Sequence, residues 1–339
     1  MTLRIILRLG RVGGPPADTS DDEHVTPRHR TSPRVAAALL LVAAAALLAI
    51  LDGGPVAART STRRSHVVGV VAAENFWGSI ARQLGGAHAR VVSLITNPAT
   101  DPHSYEPTTQ DARALAGADL VVENGIGYDP WVPKLLAADE TNPVVLNVGT
   151  LLHIPRDGNP HRWYNPGDVR RVVDQITADY QRLDPADAAY FAAERQRFVT
   201  VALRPYDTAR AAIRATFAGT PVGASESIVS MLAPALGLRL VTPPAFLRAV
   251  SEGNDVTAAD RETIDRQISH HQIRIYIYNR QNVTPDVESQ LREVKAAHIP
   301  YVTITETLTP SGATFQAWQT RELRAIGAAL ARAATARRP

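Results

Sequence analysis

The sequence predicts two doubly wound α/β lobes joined by a long helical connector. Short β-branched runs alternate with helix-length stretches from residue 66, the alternation stops after 166, and it resumes from about 219 to 332. In the first lobe (66–182) strands are expected at 67–71, 89–95, 120–122 and 144–148. Helices are expected there at 74–84, 109–116 and 128–138. A helix at 166–182 then leads to Asp184, read as a cap, and Pro185, which opens a helix to about 217. Tyr190, Phe191, Phe198 and Leu203 keep near-helical spacing along it, and Pro205 is expected to kink or interrupt it. This connector, 183–218, leads into the second lobe, 219–339. Strands are expected there at 221–224, 273–278 and 301–304, with helices at 228–236, 257–270, 285–297 and 314–332.

With 339 residues, 45% hydrophobic and 20% charged, the chain has room for two folded domains. Its net charge of +3 is small, and the basic residues are dispersed among acids, which argues against nucleic acid as a partner. No cysteine is present, so disulfides, thiolate ligands, a thiol nucleophile and an N-terminal lipidated cysteine are all excluded. Any metal site must use His, carboxylate or hydroxyl groups.

The segment 1–58 reads as a signal. Arg28, Arg30 and Arg34 precede an uncharged apolar run at 35–51, and small residues allow cleavage after Ala58. The run is also long enough to stay as an anchor. Residues 59–65 form a polar linker.

Two histidines stand in matching loop contexts: Asp101-Pro102-His103-Ser104-Tyr105-Glu106-Pro107 and Asn159-Pro160-His161-Arg162-Trp163-Tyr164-Asn165-Pro166. Each imidazole follows a proline, which stiffens the loop that aims it. Paired in this way, the two point toward metal ligation, with carboxylates further along able to complete a site.

Together with Ala73-Glu74-Asn75-Phe76-Trp77-Gly78, Gly85-Gly86, Ala118-Asp119-Leu120-Val121-Val122-Glu123-Asn124-Gly125 and Tyr128-Asp129-Pro130-Trp131, these loops carry a resemblance. The chain resembles the manganese/zinc class of extracytoplasmic solute-binding proteins that serve ABC importers, over nearly all of 66–332. The resemblance implies a divalent ion held in the cleft by two side chains from each lobe. By motif match these are His103 and His161, then Glu226 in Gly223-Ala224-Ser225-Glu226-Ser227 and Glu306 in Thr303-Ile304-Thr305-Glu306-Thr307. The last position is commonly Asp in that family, so Glu306 is a departure that adds a methylene. The resemblance also implies a preformed cleft with limited closure. The His-rich loop of many zinc-binding members is absent here.

Physically, two neutral imidazoles and two carboxylates cancel a double positive charge, which a buried site requires. All four residues fall at or beyond strand carboxyl ends, where α/β sheets place their ligands. Other histidines are read as structural: His153 as packing, and His270 and His271 as a helix end. Glu106 is expected to orient a ligand or fix its loop. Ser225 and Ser227 lack a nucleophile elbow, and Tyr128, Trp131 and Trp163 are read as core and cleft rim.

The resulting expectation is a monomeric, non-enzymatic receptor outside the membrane that captures Mn²⁺ or Zn²⁺ and delivers it to an ABC permease with its ATPase. Two hard carboxylates lean the cargo toward Mn²⁺. The alternatives are a metal-dependent hydrolase, which needs an open coordination position for water, and a surface adhesin.

Overall fold

The structure, a computed structural model, describes residues 66–100, 102–138 and 140–336. The expected signal segment and linker lie outside the described residues. Among the described residues, no helix is long and apolar enough to cross a membrane.

Each lobe is built on a four-stranded, wholly parallel sheet. The first contains β1 (Val68–Glu74), β2 (Ala89–Ile95), β3 (Leu120–Glu123) and β4 (Val144–Asn147), in the order β2-β1-β3-β4. The second contains β5 (Pro221–Ala224), β6 (Arg239–Leu240), β7 (Ile275–Asn279) and β8 (Tyr301–Ile304), in the order β6-β5-β7-β8. Counted from its own first strand, each lobe has the same order. The central strands are buried on both faces because helices cover both, so β1 and β3 read as continuous apolar runs. The edge strand β2 alternates between exposed and covered residues.

Helices α1 (Asn75–Gly85), α2 (Thr109–Ala116), α3 (Val132–Ala137) and α4 (Val148–Leu152) belong to the first lobe. α2 starts where its sequence says it should: the Thr108 hydroxyl accepts from the Asp111 backbone N–H, and Asp111 returns the bond to the Thr108 N–H. α3 starts four residues later than the spacing predicts. The Asp129 carboxylate accepts the backbone N–H groups of Asn124 and Gly125, and this holds the preceding residues in a turn.

Helix α5 (Pro166–Leu183) is capped by the Asn165 side chain, which accepts from the backbone N–H groups of Gly167 and Asp168. The connector that follows is not one regular helix. It comprises α6 (Ala188–Arg197), a π turn at Phe198–Ala202, and α7 (Arg204–Phe217). Pro205 explains the break. It has no N–H to bond back to Val201 and sits in the first turn of α7, where none is needed. The Leu203 N–H instead reaches the Phe198 carbonyl at 2.9 Å, the wider π spacing.

The second lobe adds α8 (Ile228–Leu236), α9 (Pro244–Ser251), α10 (Ala258–Ser269), α11 (Pro285–Ala296) and α12 (Phe315–Thr335). Sequence reading missed β6, which is only two residues long, and α9, whose opening Pro243-Pro244 is itself a helix-start signal.

One hydrophobic core runs through both lobes and the connector, from Val68 and Trp77 through Phe191 and Phe198 to Ile277 and Trp318. Polar ties reinforce it. The Asn75 side-chain oxygen accepts the Leu308 N–H at 3.1 Å, and the Ser79 hydroxyl accepts the Phe315 N–H at 2.9 Å. Both residues lie on the first two turns of α1, so that helix is fastened directly to the other lobe.

A core shared in this way should unfold as a unit. Far-ultraviolet dichroism and tryptophan fluorescence are expected to give coincident urea transitions. Phe198→Ala should move both together, at a cost of ~3–5 kcal/mol for a fully buried aromatic.

Candidate metal centre

The parallel strands of both lobes end toward one cleft of about 920 Å³, lined by His103 and Pro160 from one side and Ser227, Arg248, Gln281 and Glu306 from the other. The strand order reverses between β1 and β3, and again between β5 and β7. These switch points are where such sheets leave room for ligands.

His161 is 1% exposed. Its loop is held from below: the Asn124 amide donates to the Pro160 carbonyl at 3.0 Å and itself accepts from the Trp77 indole N–H at 3.1 Å. Asn159 aims the ring. Its side-chain oxygen accepts the His161 backbone N–H at 3.0 Å and meets Nδ1 at 2.9 Å, while Ser227 Oγ of the other lobe stands 3.2 Å from the same nitrogen. With the Nδ1 proton given to Asn159, the Nε2 lone pair is presented for coordination. Burial, and then the neighbouring His103, push the imidazole down to about 3, so it is neutral at any physiological pH.

Glu226 follows β5 and is 1% exposed. Asn279, the last residue of β7, sits between the loops that carry Glu226 and Glu306. Its amide donates to Glu226 Oε1 at 3.0 Å and to Glu306 Oε1 at 2.6 Å. The Asn282 amide donates to Glu226 Oε2 at 2.9 Å. Burial above all, and then the charge of Glu306, hold the Glu226 carboxyl well above the usual carboxylate range.

Glu306 is fixed on several sides. Gln281 accepts its backbone N–H at 2.6 Å and that of Thr307 at 3.2 Å, and the Tyr128 hydroxyl of the first lobe donates to its Oε2 at 2.9 Å. Beneath it, Glu322 of α12 accepts from Thr305 N, Thr305 Oγ1 and the Trp318 indole. The Tyr164 hydroxyl, three residues after His161, contacts both Glu322 and the Thr305 carbonyl, the latter at 2.7 Å.

One ligand atom each from His161, Glu226 and Glu306 lies within 4.8 Å of the other two. His103 stands outside that group. It is exposed on the same side of the first lobe, with Nδ1 3.2 Å from the Gly127 carbonyl and its ring edge-on to Tyr128 at 4.9 Å. The Tyr128 ring thus lies against both histidines, since His161 is 6.2 Å from it on centroids.

Two minor expectations are corrected. Glu106 is exposed, and the loop after His103 is fixed instead by Asp111, which accepts the Tyr105 hydroxyl at 2.8 Å, while an amide and not a carboxylate orients His161. His153 does not pack into the core. It is exposed in the left-handed conformation that ends α4. Sequence reasoning missed Asn279, Gln281 and Asn282. Three amides at the end of a central strand, where strand ends face the cleft, were the available signal. Tyr128, Trp131 and Trp163 are buried.

A profile of a family described as zinc-uptake complex component A, periplasmic, matches residues 70–329. The manganese-binding lipoprotein MntA of Halalkalibacterium halodurans is 26% identical over 134 residues, covering 38% of this chain and 44% of that protein. The zinc-binding lipoprotein AdcA of Streptococcus pneumoniae is 27% identical over 122 residues, covering 29% and 24%. The chain thus matches less than half the length of these curated relatives. Among solved structures, a Mn-bound periplasmic metal binding protein from Candidatus Liberibacter asiaticus superposes with a TM-score of 0.64 at 17% identity, over 77% of this chain and 98% of that one. The periplasmic zinc binding protein TroA from Treponema pallidum gives 0.63, also at 17% identity and with the same coverage. Both comparisons establish the two-lobed fold.

Burial gives a defined pH response without any ion. It pushes Glu123 and Glu322 up to about 7, whereas an unfolded chain releases such protons near ~4.3. The folded state therefore holds protons that the unfolded state has lost, so this contribution is full below ~4.3 and declines as pH rises through 7. Metal-free protein should melt at a lower temperature at pH 8 than at pH 5. Glu123→Gln keeps the acceptor for the Asn147 amide and should remove part of that decline. An equal decline in the variant would exclude Glu123 as a source.

Proposed function

Because the chain belongs to the periplasmic zinc-uptake component A family, we propose that it captures a divalent transition metal ion outside the membrane and hands it to an ABC permease with its ATPase. The observation that carries this reading is the convergence of His161, Glu226 and Glu306 in one cluster, with the first two buried and Glu306 partly so. Two carboxyl groups this close repel each other when both are charged, and a divalent cation relieves that repulsion and the desolvation of Glu226. No reaction is performed on the ion. The family is one of solute-binding proteins.

Capture follows from the ligands' protonation. His161 is already neutral and needs no proton removed. Burial and the charge of Glu306 raise the Glu226 carboxyl, so ion and proton compete there and affinity rises with pH. His103 is the fourth ligand in this proposal. Its exposed position at the cleft wall suits a residue that closes over the ion after the other three have engaged it. The shared core and the α1 ties keep the lobes from opening widely, so binding rests on small local movements. Mn²⁺ is the favoured cargo, because two hard carboxylate ligands suit it and no third imidazole stands at the site among the described residues, and Zn²⁺ is its main competitor. The protein works as a monomer in this proposal.

Calorimetric titration of the purified chain with Mn²⁺ and Zn²⁺ tests the reading. His161→Ala and Glu226→Gln should each abolish tight binding in the cleft, and His103→Ala should weaken it. The metal-free melting temperature of His103→Ala should barely change, since that side chain is exposed. Thermal stability should increase with free ion, by ~4 kcal/mol at a thousandfold excess over Kd. Glu306→Asp should alter metal preference without loss of fold. Melting curves that no metal shifts between pH 5 and 8 would overturn the proposal.

A further inference from the structure

A second group of ligand-type side chains lies at the other end of the first lobe. His88 closes the short 3₁₀ turn Gly86–His88 and immediately precedes β2. Because the sheet is parallel, it sits at the amino ends of the strands, away from the cleft. Asp184 follows the last residue of α5, and Asp187 precedes α6. One ligand atom from each of the three lies within 4.8 Å of the other two.

The group is built. The His88 ring is clamped between neighbours, with the Tyr190 ring centroid at 4.1 Å and Phe191 edge-on at 6.1 Å. Its Nδ1 stands 2.6 Å from Asp187 Oδ2. That contact alone could be a simple ion pair, and it would account for two of the three residues. It leaves Asp184, which is 5% exposed and whose buried Oδ2 has no hydrogen-bond partner. Nor does Asp184 serve as the helix cap its place before Pro185 suggests, because its side chain makes no capping bond. A carboxylate oxygen buried without a donor is costly, and a cation facing it removes that cost. His88 and Asp187 keep 26% and 24% of their side chains exposed, so an ion can enter and water can complete its coordination.

We propose that His88, Asp184 and Asp187 form a second divalent metal site, independent of the cleft, that takes a transition ion of the Mn²⁺ or Zn²⁺ class. One imidazole from the turn before β2 and two carboxylates from the α5–α6 corner would hold it. The bound ion would pin the edge of the first sheet to the corner between α5 and α6, and so to the connector.

Equilibrium dialysis of the full chain against Zn²⁺, with elemental analysis, counts the sites. The wild-type protein should bind two ions, and His161→Ala combined with Glu226→Gln should bind one. Adding Asp184→Asn or His88→Ala to that cleft variant should reduce it to none and abolish its Zn²⁺-dependent rise in melting temperature. His88→Ala serves if Asp184→Asn fails to fold, since His88 is partly exposed and outside the helices. A residual ion that survives both substitutions, or a wild-type stoichiometry of one that the cleft variant loses, would overturn the second site. A wild-type stoichiometry of one, with that ion kept by the cleft variant and lost with Asp184→Asn, would instead refute the cleft proposal and leave this one standing.

Discussion

The arrangement of the cleft depends on two carboxyl groups, Glu226 and Glu306, held against each other, the first buried and the second partly open to the cleft. Left alone, such a pair would push its loops apart or take up protons. The Asn279 amide spans them, the Asn282 amide and the Tyr128 hydroxyl take outer oxygens, and burial with the charge of Glu306 raises the Glu226 carboxyl. Every one of these contacts supplies a donor to an acceptor, and none supplies a full positive charge. The result is a pair of carboxyl groups kept in place by neutral hydrogen-bond donors.

The scaffold delivers that pair through topology. Parallel strands bring all carboxyl ends to one side, and the β5/β7 switch point leaves a gap flanked by Glu226 and Asn279, with Glu306 on the neighbouring β8 loop. The first lobe repeats the same strand order but presents imidazole. Its own acids at the switch point, Glu74 and Glu123, are turned into the interior, where burial raises both. Equal architecture thus supplies unlike chemistry on the two walls: soft nitrogen on one side, hard oxygen on the other.

Most of the secondary structure was legible because parallel strands and amphipathic helices carry strong periodic signals, and caps such as Thr108 and Asn165 mark where helices begin. Element ends drifted by a few residues where a side chain overrode local preference, as Asp129 does before α3. His161, Glu226 and Glu306 were legible from flanking motifs. Their supports were not, since Asn279, Gln281 and Asn282 look in sequence like an ordinary polar loop, and only the adjacency of β5, β7 and β8 gives them their partners. His153 was misread for a related reason: its apolar neighbours in sequence suggested packing, but a left-handed residue at a helix end points its side chain outward.

Tyr164 couples the two walls of the cleft. It lies three residues beyond His161, and its hydroxyl rests on the backbone just before Glu306. The two walls of the cleft are therefore mechanically geared: a displacement of the imidazole loop is transmitted within one side chain to the carboxylate loop opposite. A displacement of either loop would thus shift His161 and Glu306 together, without any hinge between the halves.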